Sequence, residues 1–139
     1  MFNFLEKYRV YLVYLPLVIY WIVLLVLTSL PSTMAITSGV SDKIEHFGAY
    51  AILGALLFLA FRFQGKYAVL KKNASLFAFL ISAFYGMLDE LHQLFVPGRS
   101  ADIIDWIADF AGAGLAVLII NFLLKRYLSK KAESNSKQI

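Results

Sequence analysis

The chain has 139 residues, of which 60% are hydrophobic, with a formal net charge of +4 and no cysteine. That length is one domain's worth. Its apolar share exceeds the roughly 45–50% of a soluble domain and lies in long uncharged runs, which points to membrane residence. The lack of cysteine excludes a disulfide framework, thiolate metal sites and a cysteine nucleophile. No segment offers the soluble basic face that nucleic acid would need.

The first predicted span runs from Val10 to Leu30 without a charge. At 1.5 Å per residue it covers about 32 Å, enough for a hydrocarbon core of about 30 Å. Pro16 is placed to bend it and Pro31 closes it. Lys7 and Arg9 precede this run as they would in a signal peptide. The run is longer than an h-region of about 7–15 residues, so a retained anchor is expected.

The other spans are expected at about Ile44–Phe63, Ala74–Phe95 and Ile103–Leu124. The connections carry the turn residues: Ser, Thr and Gly in Pro31–Ser41, Gly65 and lysines in Gln64–Asn73, and the Pro-Gly turn of Val96–Ala101. Asp102 is placed to cap the fourth helix, its carboxylate accepting free first-turn N–H groups. The expected architecture is an all-α, four-helix membrane bundle over residues 1–128, followed by a flexible basic cytoplasmic tail at 129–139, polar enough to lack structure.

Charge placement supports that span count. Lys7 and Arg9 precede span one, Arg62, Lys66, Lys71 and Lys72 lie between spans two and three, and Lys125, Arg126, Lys130, Lys131 and Lys137 follow span four. With four spans these eleven of the thirteen basic residues share one side, leaving Lys43 and Arg99 on the other. The positive-inside rule then makes both termini cytoplasmic, in a bacterial inner membrane.

The opposite side collects Asp42, Glu45, Asp89, Glu90, Asp102, Asp105 and Asp109, with His46 and His92. On spans two, three and four, about 15 apolar residues separate the basic end from His46, Asp89 and Asp109, or about 22 Å of helix. Each run falls roughly 8 Å short of the core. A polar cavity shared by these spans in the outer leaflet is the simplest arrangement. Span one shows no shortfall and is expected to pack outside.

Helical spacing puts Lys43, His46 and Tyr50 on one face, Tyr85, Asp89, His92 and Gln93 on another, and Asp102, Asp105 and Asp109 in a third stripe that continues to Gly112 and Ala113. Small residues there allow a neighbouring helix to approach closely. Structural roles compete for several of these positions. Asp102 and Ser100 suit helix capping, Glu45 can face headgroups or water, Tyr50 and Tyr85 can pack, Lys43 can snorkel, and Trp106 suits the interfacial aromatic belt. Asp89, Glu90, Arg99, Asp105 and Asp109 are harder to assign to structure, because a lone charge at the bilayer centre costs about 2.5–3.5 kcal/mol. Ion pairs with Lys43 and Arg99 would still leave five of the seven acids unmatched.

Three segments, SDKIEHFGAY (Ser41–Tyr50), YGMLDELHQLFVPGRS (Tyr85–Ser100) and DIIDWIADFAG (Asp102–Gly112), resemble the VanZ-like membrane proteins in order and spacing. That family's pattern is D-K-x-x-H-x-x-x-Y, then D-E-x-x-Q, then P-G-R-S and D-x-x-x-(N or D)-x-x-G. The matching positions are Asp42, Lys43, His46, Tyr50, Asp89, Glu90, Gln93, Arg99, Ser100, Asp105, Asp109 and Gly112. Asp109 stands where many members have asparagine. The family is named for a protein associated with teicoplanin resistance. The resemblance therefore implies a role in the bacterial envelope, where glycopeptide susceptibility is set, but no established reaction.

The leading reading is a site that binds or modifies a membrane lipid or a lipid-linked cell-wall precursor. Asp89, Glu90 and Asp105 suit acid/base roles and His46 a proton shuttle. Lys43, Tyr50, Gln93, Arg99, Ser100 and Asp109 suit ligand binding, with Arg99 and Lys43 on an anionic head. A metal site using His46, His92 and carboxylates is a weaker alternative, because no HExxH-type spacing is present. No cofactor is assigned. An ion or proton transporter, and a structural partner in an envelope complex, are further alternatives. The fourth span's glycines suit a homo-oligomer, although Gly112-x-Gly114 lacks the four-residue spacing of GxxxG.

Overall fold

The computed structural model describes residues 2–34 and 41–136, so most of the second half of the Pro31–Ser41 connection and the last three residues lie outside it. Among these residues, four helices are long and apolar enough to cross a membrane. A short helix α1 (Phe2–Lys7) precedes a π-helical segment (Val10–Tyr14) that runs into α2 (Leu15–Thr28). The next are α3 (Asp42–Phe63), a one-turn α4 (Ala68–Lys72), α5 (Ala74–Gln93) and α6 (Ile103–Ser136).

Pro16 accounts for the irregular start of the first span. Proline has no N–H to donate one turn back. Just before it, Leu15 N–H reaches the Val10 carbonyl, one residue beyond the usual α-helical partner. The helix ends at Ser29, whose N–H bonds to the Leu25 carbonyl. Pro31 follows, where the preceding residue disfavours helical backbone. Asp102 caps α6 as its sequence position suggests, with Oδ1 accepting the Ile104 N–H at 2.8 Å. Gly98 has φ +74°, a left-handed conformation that glycine adopts without steric cost, so the VPGRS turn can reverse the chain between α5 and α6.

One connection is partly helical, and one expectation from composition is corrected. The Gln64–Asn73 connection contains α4, folded against a turn in which Gln64 Oε1 accepts the Lys66 and Tyr67 N–H groups at 2.7 Å each. The last helix continues through Ser136, where polar composition suggests an unstructured tail. Lys, Ala and Glu in that stretch are strong helix formers, so a helix already nucleated by the bundle extends into them.

α3 is central. It packs on both α5 and α6, which also pack on each other, while α2 leans mainly on α3 and more lightly on α5. α3 and α6 approach closely because of small residues. A Cβ on Gly54 would sit 3.1 Å from the Ala113 Cα, and one on Gly112 would collide with the Phe47 carbonyl. Without a hydrophobic force between helices in lipid, such backbone proximity supplies much of the packing attraction. Tyr50, Leu53, Leu57, Phe58, Ala78, Ala113 and Val117 fill the interior. Ile22, Val26, Phe84, Leu118 and Phe122 face outward with the rest of an extensive apolar surface. An exposed apolar belt of that extent is suited to lipid rather than water.

Candidate functional site

The acidic ends of α3, α5 and α6 come together. Lys43, on the first turn of α3, places Nζ 2.7 Å from Asp105 Oδ1 and 3.0 Å from Asp102 Oδ2, tying α3 to the start of α6. One turn deeper, His46 Nδ1 lies 2.9 Å from Asp109 Oδ1 and 3.8 Å from Glu90 Oε1. Glu90 Oε2 accepts the Asp102 N–H at 2.8 Å, so α5 also supports the start of α6. Gln93 Nε2 donates a long 3.5 Å bond to Glu90 Oε1.

The deeper half of the cluster is closely packed. Asp109 is 0% exposed and Asp89 2%. Gly86 makes room for Asp109, since a Cβ there would lie 2.9 Å from Asp109 Oδ2. Asp89 lies beside Thr28 and Tyr50. Among the described residues, Asp89 Oδ2, Asp109 Oδ2 and the Tyr50 hydroxyl have no hydrogen-bond partner. Buried polar atoms are normally paired, so these three are exceptions, with Tyr50 and Asp89 near each other. Tyr50 packs near Tyr85 at 6.1 Å between ring centroids, and Trp21 meets Tyr85 edge-on at 5.2 Å, which walls the cluster with aromatic rings.

Asp102 sits at the rim, outside the spans. The Ile104 amide and then the Lys43 ammonium hold its carboxyl below the usual aspartate range. At the other end of the bundle, Lys71 donates to Glu6 at 2.9 Å and holds the Glu6 carboxyl below its usual range. Arg62, Lys71, Lys72 and Lys125 line a cavity of about 390 Å³ there.

The residues singled out from sequence divide into three groups. Lys43, His46, Glu90, Asp105 and Asp109 form one bonded cluster with Gln93, and Asp89 and Tyr50 lie against it. Arg99 stands at the edge, where its Nε donates to the Leu30 carbonyl at 3.4 Å and braces the α5–α6 turn against the end of α2. Ser100 is exposed in that turn. His92 is directed to Ser29, with Nε2 3.0 Å from Oγ, and so it leaves the His46 group. Trp106, expected in the interfacial aromatic belt, donates its Nε1–H to the Ala83 carbonyl at 3.0 Å, which turns the indole toward α5. An indole N–H within an apolar layer needs an acceptor, and α5 supplies it.

Sequence reasoning missed the end of α2. Thr28 lies beside Asp89, Ser29 meets His92, and Leu30 accepts from Arg99. The Thr28-Ser29 pair at the end of an otherwise apolar run was the available signal. Among the described residues, two three-residue groups have the reach to hold a metal ion, one of Asp42, His46 and Asp105 and one of His46, Glu90 and Asp109. Only the second is buried throughout.

A family profile described as VanZ/LLP1 matches residues 12–124. No curated protein and no solved structure matches the chain.

Proposed function

The chain belongs to the VanZ/LLP1 family of membrane proteins, and we propose that it binds the polar head of a membrane lipid or lipid-linked cell-wall precursor at the end of its helical bundle. The observation that carries this reading is the convergence of Lys43, His46, Asp89, Glu90, Asp105 and Asp109 from three helices. Each lies above an apolar run that ends short of the full hydrocarbon thickness. A headgroup can reach that depth while its chains stay in lipid, which suits a lipid better than a soluble substrate.

The site faces the outer leaflet, with both termini cytoplasmic. The support is the basic residues gathered at the other end, which cytoplasmic loops favour. Arg99, at the rim beside the helix-capping Asp102, is the group suited to two-pronged recognition of a phosphate or carboxylate. The acids of the cluster suit proton exchange with a bound head, and binding is the minimal role. Ion transport is less well supported. Between His46 and Arg62, Ala74 and Asp89, and Asp109 and Lys125, the three helices carry no Asp, Glu, His, Lys or Arg side chain to continue a pathway. An effect on teicoplanin-type susceptibility would follow from holding the precursors that such antibiotics meet.

Native mass spectrometry of the protein purified in mild detergent tests the reading. Wild type should retain a polar lipid, and Arg99→Gln, Glu90→Gln and Asp105→Asn should each lose most of it while remaining folded. Equal retention by all four proteins would remove the site.

A further inference from the structure

We propose that His46, Glu90 and Asp109 together hold one divalent metal ion of the zinc or manganese class. The role of that ion, to bridge the cluster to a headgroup phosphate, rests on the lipid reading above. The site itself stands on the geometry alone.

Three helices each contribute one ligand: α3 gives imidazole nitrogen, and α5 and α6 each give a carboxylate oxygen. The three ligand atoms lie within 4.8 Å of one another, and all three residues are buried. Around a tetrahedral zinc, with bonds of about 2.0–2.2 Å, ligand atoms stand about 3.4 Å apart. The observed separations from His46 Nδ1, 2.9 Å to Asp109 and 3.8 Å to Glu90, bracket that value. Small side-chain rotations would even them out.

Charge gives the second argument. Lys43 is engaged by Asp102 and Asp105. Among the described residues, the deeper group of Asp89, Glu90 and Asp109 has no lysine or arginine ion pair, and its neighbour His46 is neutral when it binds a metal. Buried like charges without compensation are costly, and a divalent ion compensates two of them. The unpartnered Asp109 Oδ2, on a side chain with 0% exposure, is a further oxygen for coordination, and the unpartnered Asp89 Oδ2 suits a water bound to the metal.

The donor set narrows the ion. Magnesium and calcium favour all-oxygen sites, whereas an imidazole with two carboxylates suits zinc or manganese. Three protein ligands leave a coordination position open, as catalytic zinc sites do. An anionic head has a reason to enter an acid-rich cluster if a cation occupies that position.

The test is elemental analysis of protein purified without chelator, followed by titration of metal-stripped protein with Zn²⁺ and Mn²⁺. Wild type should carry about one ion per chain. His46→Gln and Asp109→Asn should each weaken binding at least tenfold while keeping helical circular dichroism. Glu45→Gln, on an exposed residue of the same helix end, should retain the ion. Chelator should lower the wild-type unfolding temperature and leave that of His46→Gln unchanged. Absence of saturable binding of either metal would overturn the proposal, as would equal binding by His46→Gln and wild type. Lipid retention distinguishes the two readings. Metal bound without retained lipid supports the ion site and removes the lipid reading, whereas lipid retained by a protein that binds no metal does the reverse.

Discussion

His46 Nδ1 lies 2.9 Å from Asp109 Oδ1, and Asp109 has no exposed surface at all. That contact helps join α3 to α6 below the Lys43 bridge and gives a fully buried carboxylate its side-chain hydrogen-bond partner.

Replacing His46 with alanine should leave Asp109 without a partner. Loss of a charged hydrogen bond and exposure of a buried carboxylate to an apolar surrounding should destabilise the bundle by about 1.5–3 kcal/mol. Thermal unfolding in detergent measures this. The double variant His46→Ala with Asp109→Leu should recover part of the loss, because the second change removes the orphaned charge.

The α3–α6 crossing should be intolerant of a single methyl group. A Cβ at Gly112 meets the Phe47 carbonyl, so Gly112→Ala should cost about 1–3 kcal/mol through overpacking. Gly48 has open space at the same position, and Gly48→Ala should be neutral or stabilising by up to about 1 kcal/mol through helix propensity. Unfolding curves of the two variants should move in opposite directions or differ clearly in size.

Asp102 gives the acid side of the stability profile. Its carboxyl titrates below the usual aspartate value in the folded protein, first through the Ile104 amide and then through Lys43. Its stabilisation is therefore fully present above the ordinary aspartate pKa and is lost as pH falls through the lowered folded value. The stability difference between wild type and Asp102→Asn should be flat at neutral pH and should shrink on acidification below about pH 4. A difference that grows on acidification would contradict the cap and the ion pair.

Much of the frame was legible before any coordinates. The uncharged runs gave four spans, the equal apolar lengths before His46, Asp89 and Asp109 put three polar ends at one depth, and Asp102 stood at a capping position. Helical spacing also placed Gly112 and Ala113 on the stripe that meets α3. Spacing within a helix does not, however, give the rotation of one helix against another. It could not tell that Lys43 would join Asp102 and Asp105 while His46 took Asp109 and Glu90, nor that His92 would turn to Ser29. In sequence the end of α2 resembles apolar support because its few polar atoms are small, yet Thr28 lies beside Asp89 and Ser29 meets His92. The helical run to Ser136 was hidden by composition, since a polar stretch with few apolar residues resembles a tail whether or not a helix feeds into it.

Site-specific photocrosslinking shows whether the cluster receives a lipid head from the membrane. A photoreactive residue at Ser100, exposed in the turn beside Arg99, should capture headgroup-labelled lipid in native membranes, and Arg99→Gln should reduce that capture strongly. The same probe at Leu118, on the outward apolar face of α6, should capture labelled heads weakly and be indifferent to Arg99→Gln. Equal capture at both positions, or capture at Ser100 that ignores Arg99, would contradict the account.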